Sequence, residues 1–432
     1  MMMSLGSIGF TIKVVSERTG VSVHTLRAWE RRYGVPSPNR GADNRYRLYD
    51  EADIADVLFL KQQVESGVAP SQASLLLRQR QDQSARVMMA QSNQPIDSVR
   101  VALQEAFVKS DEMVARQILD EAFALFTPEQ VALQITEPTM REIGERWMRN
   151  EMTVWQEHLA SNVVQQKLFA VLQSQPALPT SAPLLAAACA PSEEHQLGLI
   201  VFAMLARRQG WRATYLGQGT PLDDIVDLAR ASKPNVIAVS VTTVVGLAGL
   251  IPWLDADNRP SAPLVFGGRM PNQLPGLREH LPGDYLGDNT MSAVRNLGSI
   301  QMHAEYWSPS KRVLNVVDLL ETQRLGIAGE VVTEFIASSP KTYRHWDTSH
   351  VNHATKFLID SLVCALAFDV PELMDSQSQW LKEGMPPRSV MPQLIGKHLQ
   401  IFEAVLLKKF TKEQNRFFTP LIARMKDHVD NA

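Results

Sequence analysis

Between Leu184 and Gly198 the chain reads LLAAACAPSEEHQLG. A short apolar run closed by a proline and a polar turn is the pattern of a buried strand, Pro183 to Cys189, and the apolar residues from Leu197 to Gln209 then recur at helical spacing. The alternation continues downstream. Arg212 to Leu216 reads as a strand, Leu222 to Ala231 as a helix, and Val236 to Val241 and Pro263 to Phe266 as strands, with Tyr285-Leu286 a possible last one. Strands alternating with helices predict a parallel, doubly wound α/β domain over residues 182–300. In such sheets ligands sit outside the carboxyl ends of the strands, where the run Ser192-Glu193-Glu194-His195-Gln196-Leu197-Gly198 falls. A histidine there can bind a metal through one ring nitrogen while Glu193 orients the other, and Gly198 lets a helix or a ligand approach the backbone. A lone loop histidine is more often simply solvated, so partners matter. Forty-one residues separate Gly198 from Ser240-Val241-Thr242, and 24 separate Thr242 from Gly267-Gly268. All three elements fall at strand ends on one edge of one sheet, so they can line one slot.

Outward from this domain the chain divides at two polar stretches. Ser174 to Pro183 carries three prolines and Gln79 to Asp97 is rich in Gln and Ser, so both read as linkers. Between them, over residues 96–175, apolar residues recur at helical periods in four stretches, which predicts a four-helix bundle. The first piece, residues 8–78, has helical patterns at Ile12 to Thr19, Ser22 to Tyr33, Asp50 to Glu65 and Pro70 to Leu77. Gly20-Val21-Ser22 forms a turn with a Ser N-cap between the first two, which is helix-turn-helix spacing. A softer boundary over Gly298 to Lys311 precedes a helical tail, 308–432. Its most periodic stretches are Val313 to Glu321, His353 to Phe368, Pro371 to Lys382 and Gln393 to Lys408.

Composition sets the class. In 432 residues, 45% hydrophobic and 21% charged describe packed domains rather than disorder. Lys plus Arg number 43 against 46 Asp plus Glu, a net charge of −3, so any nucleic-acid contact needs a local basic surface. Lys13 to Tyr49 supplies it: Lys13, Arg18, Arg27, Arg31, Arg32, Arg40, Arg45 and Arg47 face only Glu17, Glu30 and Asp43. Helix two would present Ser22 and His24 to Arg27 to base edges in the major groove, and Arg31, Arg32, Arg40, Arg45 and Arg47 to phosphates. Only Cys189 and Cys364 are present, each in an apolar run, which excludes a disulfide scaffold or a Cys-based zinc site and fits a reducing cytoplasm. Met1 to Phe10 lacks the basic and long apolar regions of a secretory signal, and the uncharged run Val236 to Leu254 reads as a buried strand and loop rather than a membrane span.

The order helix, turn, TLRAWERRYG, then NRYRLY followed by DEADI resembles the winged helix-turn-helix of MerR-type regulators over about seventy residues. By that resemblance Thr25, Arg27, Trp29, Arg31 and Tyr33 lie on or behind the recognition helix, and Arg45, Tyr46, Arg47 and Tyr49 lie in the wing, all of them expected DNA-contact positions. Trp29 and Leu26 could equally be core. The long dimerising helix that follows the head in many such proteins is not expected here, so oligomerisation would be arranged elsewhere.

Glu193-x-His195-x-x-Gly198, Ser240-x-Thr242 and Gly267-Gly268 resemble the cobalamin-binding domain of methionine synthases, corrinoid proteins and mutases, with Glu193 in place of Asp and Thr242 in place of Leu. The resemblance implies a flavodoxin-like (Rossmann-type) fold. His195 would be the lower cobalt ligand, displacing a dimethylbenzimidazole tail that slides in beside Ser240 and Gly267-Gly268. In the bundle, Trp147 stands ten residues before Glu157-His158. Aromatics at helical spacing are usually packing, but this arrangement resembles the cap of the cobalamin-dependent light-sensing repressors of the MerR type, the CarH/LitR group. The resemblance then spans head, bundle and α/β domain in one order. It implies that Trp147 covers the upper face of the corrin beside Glu157 and His158. In the best-known light sensor a His follows the Trp and becomes the upper cobalt ligand after photolysis; here that position is Met148, a weaker ligand for oxidised cobalt.

The expectation is therefore a cytoplasmic, non-enzymatic transcription regulator, a repressor. It would bind double-stranded promoter DNA as a homodimer or tetramer, controlled by adenosylcobalamin, or methylcobalamin, through light. The alternatives are a cobalamin sensor without light, a corrinoid methyl carrier, and a MerR-type sensor for another ligand. The tail weakly resembles the helical domain fused to cobalamin domains in bilin-binding photoreceptors, which leaves a bilin pocket or a metal or haem site at His345, His350 and His353 open beside an oligomerisation or docking bundle.

Overall fold

The computed structural model describes residues 10–37, 48–49, 51–300, 306–338, 348–384 and 392–430. The chain forms two compact units, Met1–Ser98 and Val99–Ala432. In the first, α1 (Ile12–Thr19), α2 (Val23–Tyr33), α3 (Glu51–Glu65) and the start of α4 (Pro70–Val108) enclose a small core of Val15, Leu26, Trp29, Tyr49, Ile54, Val57, Leu60, Ala73 and Leu77. Ser22 caps α2 by accepting the Thr25 N–H at 3.1 Å. Lys61 of α3 donates to the Thr19 carbonyl at 3.0 Å, closing the carboxyl end of α1.

The stretch expected as a linker, Gln79 to Asp97, lies within the 39-residue helix α4, which also supplies the long helix after the head that was not expected. Both expectations are corrected for one reason. The segment is polar but rich in Gln, Arg, Ala and Met, all good helix formers, and it holds no glycine. A polar composition alone does not mark irregular backbone.

In the second unit the end of α4 continues into α5 (Glu112–Leu125), α6 (Pro128–Gln130), a π-helical stretch (Val131–Thr136), α7 (Glu137–Met148) and α8 (Val154–Ser174), the expected helical bundle. The α/β part follows as β1 (Leu184–Cys189), α9 (Leu197–Arg208), β2 (Arg212–Gly217), α10 (Leu222–Ser232), β3 (Val236–Ser240), α11 (Val244–Ala248), β4 (Leu264–Gly267), α12 (Arg269–Gln273), β5 (Asp284–Tyr285) and α13 (Thr290–Asn296). The strands pair in parallel in the order β2-β1-β3-β4-β5, the doubly wound sheet the alternation predicts. β1 and β3 are buried along almost their whole length, as strands covered on both faces must be.

The tail comprises α14 (Lys311–Ser338), α15 (Thr348–Ala367), α16 (Glu372–Gly384), α17 (Pro392–Lys409) and α18 (Lys412–Asp430). The last was not singled out in the sequence, where Pro420 interrupts its pattern. Residues 308–432 also differ from the expected separate domain. Val316, Leu320, Val351, Leu362, Cys364 and Phe368 share one apolar core with Ile237, Val239, Leu247, Leu250, Trp253 and Phe266 of the α/β part. The cause lies in the sheet's own cover: α11 has only five residues and 3-10 turns follow it, so the apolar side chains there need the tail to exclude water.

Candidate functional site

The sheet register assembles the slot. Cys189 at the end of β1 pairs with Ser240, and Ser240 pairs with Gly267, so the three sequence elements meet side by side at the carboxyl edge. The chain leaves β1 through a tight turn in which Ser192 takes a left-handed conformation, φ 62°, and this turn directs the Glu193 side chain inward, fully buried. Its Oε1 accepts the His195 backbone N–H at 3.0 Å and lies 2.7 Å from His195 Nδ1. Its Oε2 accepts the N–H groups of Thr242 and Thr243 at 2.9 and 2.7 Å and the Thr243 hydroxyl at 2.9 Å.

Burial alone would push the Glu193 carboxyl up, but the hydrogen bonds from the His195 ring and backbone, from Thr242 and from Thr243 outweigh it and hold the pKa down to about 2. The bond to Glu193 in turn raises the His195 pKa against the opposing effect of burial, and the charges of Glu193, Glu157 and Glu194 raise it further. With Nδ1 committed to the carboxylate, Nε2 is the nitrogen a metal would take. The His195 side chain remains 63% exposed, open to a ligand.

Small residues line the strand ends beside it. A methyl group added at Gly198 or Gly267 would meet nothing within 4 Å. Gly268 is the tight partner, at φ +106°, where a Cβ would stand 2.5 Å from the Val241 carbonyl oxygen. Ser240 is buried and Thr242 half-buried. One imidazole braced by a carboxylate, with small residues and open space alongside, is a donor set for a macrocycle-held metal. It is not a closed ion cage: among the described residues no group of three or more His, Cys, Asp or Glu could hold a free metal ion. In the tail, His350 and His353 stand in the first turns of α15, while His345 lies outside the described residues.

The bundle closes on this edge. Trp147 and Met148 end α7, both half-buried; Glu157 stands in the first turn of α8 and His158 follows it, with Glu157 Oε2 3.7 Å from His158 Nε2. Glu157 accepts the Ser161 hydroxyl at 2.6 Å and is near enough for its charge to act on His195. Upper and lower sequence motifs therefore share one electrostatic environment. Arg207 of α9 fastens the two parts by donating to the carbonyls of Leu172 and Gln175 at 2.9 and 3.0 Å. Gln196, the residue after His195, donates to Gln165 of α8 at 3.2 Å and accepts the Tyr215 hydroxyl at 3.1 Å. Tyr215 meets Phe169 edge-on, centroids 5.1 Å apart. The sequence did not single out Thr243, Gln196, Gln165, Arg207 or Tyr215. Thr243 had a local signal, a hydroxyl next to Ser240-Val241-Thr242 and able to cap the helix after it, but the others meet only in three dimensions.

In the head, His24, Arg27, Arg31 and Arg32 are exposed and Thr25 half-buried. Positions 24, 27 and 31 fall on one stripe of α2, a basic surface suited to the major groove. Two DNA-contact assignments change. Trp29 is 8% and Tyr49 1% exposed, both inside the head's core, and Tyr33 packs against that core half-buried. Tyr49 pairs its backbone with Phe10 and donates its hydroxyl to Glu30 at 3.2 Å. So small a domain needs its aromatics inside. Arg40, Arg45, Tyr46 and Arg47 lie outside the described residues.

Residues 10–80 match the MerR HTH family of regulatory proteins, and residues 99–172 and 183–295 match two B12-binding domain families. Over 236 residues the chain is 33% identical to the HTH-type transcriptional repressor CarH of Myxococcus xanthus, covering 54% of this chain and 78% of that protein. The chain belongs to the CarH and CarA family of HTH-type transcriptional repressors. Identity to CarA of the same organism is 30% over 279 residues, covering 62% of this chain and 88% of that protein. The domain set of this CarH-family chain is that of a cobalamin-regulated transcriptional repressor. A solved structure, the monomethylamine corrinoid protein of Methanosarcina barkeri, matches with TM-score 0.42 at 17% identity, covering 47% of this chain and 99% of that one. Among the described residues no helix is long and apolar enough to cross a membrane.

Proposed function

We propose that this CarH-family chain is a cytoplasmic, non-enzymatic repressor whose oligomerisation, and through it promoter affinity, is set by adenosylcobalamin in a light-dependent way. The observation that carries the reading is the Glu193-braced His195 at the carboxyl edge of β1, facing a bundle whose Glu157 acts on its charge. When bound, adenosylcobalamin supplies a cobalt–carbon bond that light can break. The chain's part would be to hold the metal through His195 Nε2, to receive the nucleotide appendage beside Ser240, Thr242, Gly267 and Gly268, and to cover the bound group with Trp147, Glu157 and His158. Ordering of bundle against sheet then favours an assembly that presents several basic heads to one promoter, which multiplies weak single-head affinities.

Met148 supports a second version, in which the chain responds to cobalamin itself without a stable histidine-capped light product, because a thioether is a weaker ligand than imidazole for oxidised cobalt. The methyl-carrier alternative leaves the basic stripe of α2 unused. The tail's apolar residues are already engaged with one another and with the α/β core, which supports a packing role rather than a bilin pocket.

The test compares protein without cofactor, with adenosylcobalamin in the dark, and after illumination, by sedimentation and by gel retardation on an operator selected from random duplexes. A dark-loaded oligomer that binds DNA and falls apart in light is expected for the first version, and a light-indifferent one for the second. Identical mass and retention in all three states would sink both. An absorbance spectrum unchanged by His195→Ala would remove His195 as the ligand.

A further inference from the structure

We propose that the C-terminal helices position the cobalt-ligating histidine: α15 fixes α11, and α11 fixes the Glu193 carboxylate that holds His195. The inference rests on the cobalamin reading for its purpose, but its mechanical part concerns this chain alone.

The connection runs through three contacts. Thr243 caps α11, its hydroxyl accepting the Gly246 N–H at 3.2 Å while donating to Glu193 Oε2 at 2.9 Å. The helix presses directly on the ligand loop: a Cβ at Gly246 would stand 2.8 Å from Glu193 Oε2, and one at Gly249 2.8 Å from the Pro191 carbonyl oxygen. On its other side α11 packs against α15, where the Cys364 thiol donates to the carbonyl of Val244, the first residue of α11, at 3.4 Å. Cys364 is fully buried, and burial pushes its pKa well up, so the thiol keeps its proton.

The backing is stiff. One turn before Cys364, Asp360 accepts Arg324 of α14 at 2.6 Å, and Arg324 also reaches Glu321 at 2.6 Å. Asp360 is buried and Arg324 partly so, and the pair ties α15 to α14 at this level. A five-residue helix wedged between the ligand loop and an anchored helix cannot shift without moving one of them. The position of α15 is thus read at Glu193, and any force that cofactor binding puts on His195 reaches α15 by the same contacts, since coupling between two sites is reciprocal.

The first arm uses the full chain without cofactor and measures hydrogen exchange at the His195, Thr242 and Thr243 amides, all of which donate to Glu193. Cys364→Leu, overpacked against Val244, should raise their exchange about tenfold, while Cys364→Ser, which keeps a donor, and Leu407→Phe, on an exposed face of α17, should leave it near wild type. Equal exchange in Cys364→Leu and wild type would overturn the proposal, as would an equal rise in Leu407→Phe. The second arm needs no variant that might misfold. Adding hydroxocobalamin to wild-type protein should slow exchange over 360–367 in α15 more than over 400–407 in α17, and no difference while the spectrum shows histidine-bound cobalt would overturn it. If His195→Ala leaves that spectrum unchanged, the ligation reading fails, and the first arm still decides the coupling.

Discussion

One oxygen of Glu193 holds His195 twice, accepting its backbone N–H at 3.0 Å and meeting its Nδ1 at 2.7 Å. Loop conformation and ring orientation are therefore set by a single atom. The other oxygen faces only donors, the N–H groups of Thr242 and Thr243 and the Thr243 hydroxyl. Glu193→Gln keeps the shape but forces an amide NH₂ against donors whichever way it turns. A buried donor left without an acceptor costs about 1–3 kcal/mol. The variant should lose stability by that amount in thermal unfolding and bind hydroxocobalamin more weakly in a titration; wild-type values for both would mean the carboxylate is dispensable.

The same pair sets a pH dependence with two opposite signs. Glu193 falls from an ordinary carboxylate value near 4.5 to about 2 in the folded chain, so its contribution is present above pH 4.5 and is lost as pH falls towards 2, up to about 3 kcal/mol. His195 is raised above 6.5, so the stability it adds is complete below that value and is lost as pH rises through the raised pKa. A proton on Nε2 competes with cobalt, so histidine-bound cobalamin should decrease as pH is lowered from 8 to 6. Absorbance titration of wild type against His195→Ala separates this from changes in the cofactor alone.

The α/β domain was legible because both of its signals are local. Strand and helix periods gave the sheet, and fixed spacing put Glu193, Ser240 and Gly267 on one edge. The polar helix α4 was not, because between Gln79 and Asp97 nothing apolar repeats, and periodicity reports burial rather than helicity. Trp29 and Tyr49 were assigned to DNA because a motif names positions without saying which way they point. The contribution of the tail was invisible for a further reason: Cys364 and Val244 are 120 residues apart, and only packing brings them together.

Exposed and buried residues of α2 should separate cleanly on substitution. Arg27→Ala and Arg31→Ala remove charges that face solvent, so the head should stay folded while DNA affinity falls, Arg27→Ala by relaxing base discrimination and Arg31→Ala by losing a phosphate contact and lowering the salt slope of binding by about 1. Trp29→Ala empties the head's core and should destabilise it by about 3–5 kcal/mol. Affinity measured across salt concentrations, beside unfolding of each variant, checks the division. A stable Trp29→Ala protein that binds DNA weakly would restore Trp29 to the interface.

Gly268 tests the floor of the slot. At φ +106°, with the Val241 carbonyl oxygen 2.5 Å from any Cβ, Gly268→Ala should cost more than the ~1 kcal/mol usual for a glycine replacement and displace β4 relative to β3. Gly267→Ala meets open space and should leave stability near wild type while narrowing the slot, so it should weaken cobalamin binding without lowering the melting temperature. The reverse ranking in melts and titrations would place the cofactor appendage elsewhere.

Arg207 fastens the bundle to the sheet by carbonyls alone, those of Leu172, Gln175 and Pro176. These belong to the last turn of α8 and the residues after it, groups that no longer have partners within the helix. Arg207→Met keeps much of the apolar stem and removes every donor. Two or three charge-assisted bonds lost from a partly buried junction should cost about 2 kcal/mol. That loss should appear as faster amide exchange over 165–174 with the sheet unaffected. Because Gln165 and Phe169 of the same helix meet Gln196 and Tyr215 beside His195, the variant should also bind adenosylcobalamin more weakly than it binds a fragment lacking the upper group. Equal weakening of both ligands would show that α8 supports the fold of the site without covering its upper face.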